Sequence, residues 1–137
     1  MSIIGERLAR IAGWVRDETV GRPLELPSSL LAAYPILAGA RWRRGGLPLR
    51  IGGWCLGART VAGFTFRDTV FVASGTPSAR LLLHELAHVR QYREAKSFPL
   101  RYLWESLQHG YARNRFEVEA DQFAEEVLWS GTPRRPS

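Results

Sequence analysis

From Leu81 to Val89 the chain is apolar on nearly every helical face, yet this run contains His84, Glu85 and His88. A helix that is apolar all round has to be the centre of a fold. Burying two imidazoles and a carboxylate there is costly unless they share a partner. The spacing supplies that partner. His84-Glu85-Leu86-Ala87-His88 has the form H-E-x-x-H, and residues four apart stack on one helix face. Both imidazoles can then reach one zinc ion at about 2.0–2.1 Å. Glu85 is turned about 100° from His84 by helix geometry, which sets it beside the ligands. A metal lowers the pKa of a bound water towards neutrality, and Glu85 is placed to take the proton as general base.

The rest of the chain has to wrap this helix. With 137 residues, 45% hydrophobic and 11% aromatic, it has material for one domain with a real core. Residues 2–20 read as an amphipathic helix, with Ile3, Ile4, Leu8, Ile11 and Val15 at helical spacing, ended by Gly21 and Pro23. Ser28 or Ser29 would cap a short second helix that stops near Pro35. Arg43-Arg44-Gly45-Gly46 reads as a turn. Strand-like segments follow at residues 47–51, 60–66 and 69–73, with Arg67-Asp68 as a hairpin turn. Ser74-Gly75-Thr76-Pro77 is a loop and cap before the metal helix, expected over residues 78–96. Ser97 caps a further helix that carries Pro99 in its first turn and stops at Gly110. Asn114 opens a last helix that ends near Gly131. Helices, a small sheet, then helices make an α+β domain. The expected division is 1–44 as an N-terminal helical part, 45–130 as the core with the metal helix, and 131–137 as a disordered tail.

Charge and cysteine content narrow the chemistry. The formal net charge is +6, and Lys96 is the only lysine among the 19 basic side chains. Most of the net positive charge lies in the first 75 residues, which would suit an anionic partner such as nucleic acid or acidic lipid. A solvated surface is the simpler reading and is preferred. Cys55 is the only cysteine, so no internal disulfide forms and any metal must use histidine and carboxylate. Glu6, Arg7 and Arg10 interrupt the apolar pattern at the start, and no run of about 18 apolar residues follows, so neither a signal-peptide core nor a membrane span is expected. The expected compartment is the cytoplasm.

Two histidines need a third protein ligand. A pattern extended by Gly and a third His is excluded, because Gln91 and Glu94 occupy those positions and Met1 is the only methionine. His109, Glu117, Glu119 and Asp121 remain. Phe116, Ala120, Phe123, Ala124 and Val127 mark the buried face of the last helix. Glu117 lies about 50° from its middle and Glu119 about 110°. Glu117 can therefore point inward at a metal. Asp121, one turn later, can accept the free N–H of a ligand histidine. Glu117 has a second reading, because Asn114-Arg115-Phe116-Glu117 also fits a capping box with Glu117 bonding the Asn114 backbone.

His84-Glu85-x-x-His88 followed by Glu117-x-x-x-Asp121 resembles the gluzincin clan of metallopeptidases. In that clan the second-motif Glu is the third zinc ligand, and the Asp four residues on orients a ligand histidine. The stretches His84 to Gln91, Arg101-Tyr102-Leu103-Trp104 and Asn114 to Ala120 are similar to small bacterial gluzincin-like, or minimal zincin, domains. The resemblance spans about residues 45–128. It implies a compact, helix-rich zincin-like domain with a small, mostly antiparallel sheet before the metal helix and the ligand Glu on a later helix. It also implies peptide hydrolysis, with the strand Thr69-Val70-Phe71-Val72 as the rim along which a peptide or protein substrate adds. A partner protein would complete the cleft in so small a domain. Gluzincins stabilise the oxyanion with a His or Tyr from outside these motifs; His109 is the first choice here and Tyr111 the next, with Tyr102 and Tyr92 also available.

Two other readings compete. With His109 as third ligand the chain would resemble the DNA-associated SprT-like metallopeptidases, and Trp42 among Arg41, Arg43 and Arg44 would fit that role. Alternatively the zinc would be structural, with four protein ligands, in a non-catalytic binding module.

Overall fold

The computed structural model describes residues 3–46, 62–73 and 76–131. The strand expected at 47–51, the start of the one expected from Thr60, Cys55, Ser74-Gly75 and the 132–137 tail lie outside the described residues. The elements in chain order are α1 (Ile3–Val20), β1 (Arg22–Pro23), α2 (Ser28–Ala33), a 3-10 turn (Pro35–Gly39), β2 (Arg41–Arg44), β3 (Gly63–Phe66), β4 (Thr69–Val72), α3 (Ala79–Glu94), α4 (Phe98–His109), a second 3-10 turn (Tyr111–Arg113) and α5 (Arg115–Gly131). The molecule is helix-rich α+β, as the element pattern predicts.

The four strands form one mixed sheet in the order β1-β2-β4-β3. The outer pairings are antiparallel and the central one, β2 with β4, is parallel. Two corrections follow. The expected turn at Arg43-Arg44 is the end of strand β2, and the chain turns at Gly45 and Gly46, whose φ values of 70° and 103° suit glycine. Burial of Trp42 decides this: its indole Nε1–H donates to the Leu37 carbonyl at 2.8 Å, and the pleat turns the neighbouring arginines outward. Second, β4 lies inside the sheet, paired on both sides. Its backbone groups are consumed by the ladder, so a substrate strand cannot add at Thr69–Val72. Among the described residues, the free edge on that side belongs to β3. The β3–β4 hairpin turns at Arg67-Asp68 as expected, with Arg67 in the left-handed region at φ 56°.

Helix α3 is central. Leu82, Leu83, Leu86 and Val89 are fully buried against Val70 and Val72 of β4, Trp42 and Leu37 on one side and Ala124 of α5 on another. Leu24, Leu26, Leu30, Leu31 and Tyr34 pack against the same cluster, so residues 24–42 belong to the core that surrounds α3. Ser78 caps α3, its Oγ accepting from the Leu81 N–H at 3.1 Å. Pro27, not a serine, takes the cap position of α2, and Ser97 makes no side-chain cap bond to α4. The apolar stripe of α1 is solvent-exposed: Ile3, Ile4, Leu8, Ile11 and Val15 all lie on the surface.

Asn114 joins the last two helices. Its Oδ1 accepts from the Phe116 N–H at 2.9 Å, and its Nδ2 donates to the Tyr102 carbonyl at 3.0 Å and to Ser106 Oγ at 2.8 Å. The side chain is fully buried. Asn114→Ala removes the cap and strands buried polar groups on α4, so we expect a loss of about 2–3 kcal/mol, checked by urea unfolding.

Candidate metal centre

Three side chains converge between α3 and α5. His84 Nε2 lies 3.0 Å from Glu117 Oε2, and His88 Nε2 lies 3.1 Å from Glu117 Oε1. The two Nε2 atoms are 3.2 Å apart. Donors of a tetrahedral ion with bonds of about 2.0–2.1 Å sit about 3.3 Å from one another, so these separations match one face of such a site. His84, His88 and Glu117 are the metal-competent group among the described residues.

The outer nitrogens fix which way the rings face. His84 Nδ1 is 2.8 Å from Asp121 Oδ1, and His88 Nδ1 is 2.8 Å from Gln91 Oε1. Both partners are acceptors in these contacts, so each Nδ1 carries the proton. Each neutral ring then turns an Nε2 lone pair towards the other and towards a carboxylate. Three electron-rich atoms at this spacing need a positive charge between them, a proton or a cation, and a borderline-soft divalent ion suits two imidazoles and a carboxylate.

The titration of the group reflects the same need. Burial alone would lower the His84 pKa, but its contact with Glu117, the charges of Glu85 and Glu117, and Asp121 outweigh burial and push it up to about 9. His88 is also raised, by Glu117 and Glu85 against burial. Glu117 is held well below the ordinary carboxylate range: burial opposes this, but both histidines and the Tyr102 hydroxyl outweigh it. In the metal-free chain His84 thus favours its protonated form in the fold. That contribution is complete below the unfolded value of 6.5 and is lost as pH rises through about 9. We expect the melting temperature of the metal-free protein to fall between pH 6.5 and 9.5. With zinc loaded this slope should disappear, because the ion takes the proton's place.

Glu85 lies on the same helix, buried against β3. Thr65 Oγ1 donates to Glu85 Oε2 at 2.7 Å. Burial raises the Glu85 pKa, while His88, Thr65 and His84 work against that rise. Gly63 sits directly over the carboxylate: a Cβ built there would lie 2.8 Å from Glu85 Oε1, so any side chain at 63 displaces the acid. The pleat of β3 therefore gives Glu85 a hydroxyl from Thr65 and open backbone at Gly63.

Helix α4 supplies the remaining wall. The Tyr102 hydroxyl donates to Glu117 Oε1 at 2.6 Å, and its ring packs edge-on against His88 at 6.0 Å. Burial, then the Glu117 charge, raise the Tyr102 hydroxyl pKa, so it stays a donor. Tyr111, half exposed, is raised for the same reasons and faces Glu117 from the rim.

Of the residues singled out from sequence, His84, Glu85, His88, Glu117 and Asp121 are brought together. The capping-box reading of Glu117 does not hold: the Asn114 N–H donates to the Tyr111 carbonyl, and the Glu117 carboxylate faces the histidines. Glu119 is exposed, as its helical phase predicts. His109 is exposed in the last turn of α4 and is not part of the convergent group. Sequence reasoning left Tyr102 unselected and missed Thr65, Gly63 and Gln91. Gln91 had a local signal, three residues after His88 on one helix face. The others become neighbours of Glu85 and Glu117 only through tertiary packing. Comparison with family models, with curated proteins and with solved structures finds no match to this chain.

Proposed function

We propose that the chain is a zinc-dependent metallopeptidase of gluzincin type. The observation that carries this reading is the juxtaposition of His84, His88 and Glu117 with Glu85 on the adjoining helix face. His84, His88 and Glu117 hold the ion. Three protein ligands suit a catalytic zinc, which keeps a position open, better than a structural one, which closes with four. A zinc ion bound there supplies Lewis-acid activation of water and of the scissile carbonyl. Glu85 takes the proton of the attacking water at its carboxylate and later delivers it to the leaving amine. Thr65 keeps the carboxylate oriented, and Tyr102 holds Glu117. Of the two oxyanion candidates, Tyr111, at the half-exposed rim, is the better placed, since His109 lies outside the group.

The substrate is an extended peptide added along β3, whose far edge has no partner among the described residues and whose inner face carries Thr65 and Gly63 against Glu85. The test is direct. Purified chain should bind one zinc per molecule and cleave casein or a peptide library, lose the activity to a chelator and regain it with zinc. Stoichiometric zinc without cleavage of any peptide would favour a zinc-stabilised binding module instead.

A further inference from the structure

Gln91 occupies a position that the proposed chemistry does not use directly. It is 8% exposed and lies between α3 and α5. Its Nε2 donates to the Phe116 backbone carbonyl at 3.0 Å and lies 3.4 Å from Glu119 Oε2. A backbone carbonyl can only accept, so the amide has one orientation: NH2 towards Phe116, oxygen towards His88. That oxygen is 2.8 Å from His88 Nδ1. His88 therefore carries its proton on Nδ1 and presents the lone pair of Nε2 to Glu117. Phe116 directly precedes Glu117 in the chain. One buried amide thus connects the ring of one candidate ligand to the backbone beside another.

On the reading of His84, His88 and Glu117 as zinc ligands, we propose that Gln91 is a positioning residue that fixes the His88 tautomer. Its own orientation is set by the Phe116 carbonyl, which can only accept. The same task at His84 falls to Asp121, whose side chain is 61% exposed and which needs no second anchor, because a carboxylate accepts at either oxygen. A buried amide has one acceptor and is useful only when held in one orientation. Glu119, the acid within reach of the amide, faces its NH2 end and reinforces that orientation.

The test compares two variants of the full chain. Gln91→Met removes both contacts at similar volume. Gln91→Glu, made together with Glu119→Gln so that no carboxylate faces the new acid, keeps an acceptor for His88 Nδ1 and loses the amide donor to Phe116. Zinc affinity is measured by competition with a chromophoric chelator, and the exchangeable ring proton of His88 is followed by NMR in the zinc-loaded protein. Gln91→Met should weaken zinc by about 10- to 100-fold, the cost of losing a hydrogen-bond partner to a ligand histidine. It should also speed exchange of the His88 ring proton. Gln91→Glu with Glu119→Gln should keep both near the parent, although each variant loses the Phe116 bond. Equal zinc loss in the two variants, or unchanged affinity in Gln91→Met, overturns the proposal. So does a parent spectrum with the His88 proton on Nε2, which needs no variant to fold. A parent that binds no zinc overturns the metal reading itself, a result separate from any of these.

Discussion

Glu117→Gln should cost the protein its zinc. The carboxylate places negative charge directly against both Nε2 atoms, 3.0 and 3.1 Å away. An amide of the same shape still accepts from the Tyr102 hydroxyl, so the helix packing is preserved. What it cannot supply is charge. We expect affinity to drop by more than about 100-fold, beyond the upper end of what loss of an outer partner costs. Peptide cleavage should vanish with it. The same substitution removes the main cause that raises His84, so the metal-free variant should lose most of the stability change between pH 6.5 and 9.5. His109→Ala is the control. Exposed and outside the convergent group, it should leave zinc content unchanged. Zinc retained in Glu117→Gln and lost in His109→Ala would return the third ligand to His109.

Glu85→Gln separates metal binding from chemistry. The side chain touches Thr65 and β3, and the amide oxygen still accepts from the Thr65 hydroxyl at the position now 2.7 Å away. No ligand is altered, so zinc stoichiometry should match the parent. The amide cannot take a proton, so kcat/KM should fall roughly 100- to 10,000-fold. Stability at neutral pH should not fall. Burial is the first cause of the raised Glu85 pKa, and replacing a buried carboxylate by a neutral amide removes that burial cost. A variant that cleaves at the parent rate would assign the proton to another group or the activity to a contaminant. A variant that loses zinc would mean Glu85 holds the site together rather than acting in it.

Much of the site was legible because helices carry their own geometry. The step of four from His84 to His88 places two imidazoles on one face whatever surrounds them. A periodic apolar face on the last helix turns Glu117 inward and Glu119 outward by phase alone. The capping box was the competing local reading of Glu117, and only the approach of α3 to α5 removes it. The sheet was less legible. Gly45-Gly46 drew the turn forward onto two arginines that belong to β2, because the parallel partner of that strand, β4, lies more than twenty residues away. A parallel pairing leaves no local signal of the kind a hairpin leaves. For the same reason strand order is not readable from sequence, which puts the substrate rim on β4, whereas among the described residues the edge on that side is β3.

By itself the sequence determined the central helix, the two histidines and Glu85 on it, and the inward phase of Glu117. Each of these follows from the fixed angle per residue of an α-helix. Tertiary structure alone decided that Thr65 and Gly63 frame Glu85, that Tyr102 holds Glu117, that Gln91 reaches Phe116, and that His109 stays outside. Those contacts join residues 15 to 25 positions apart through the packing of separate elements. Side-chain chemistry permits such contacts, but only the fold brings the partners together.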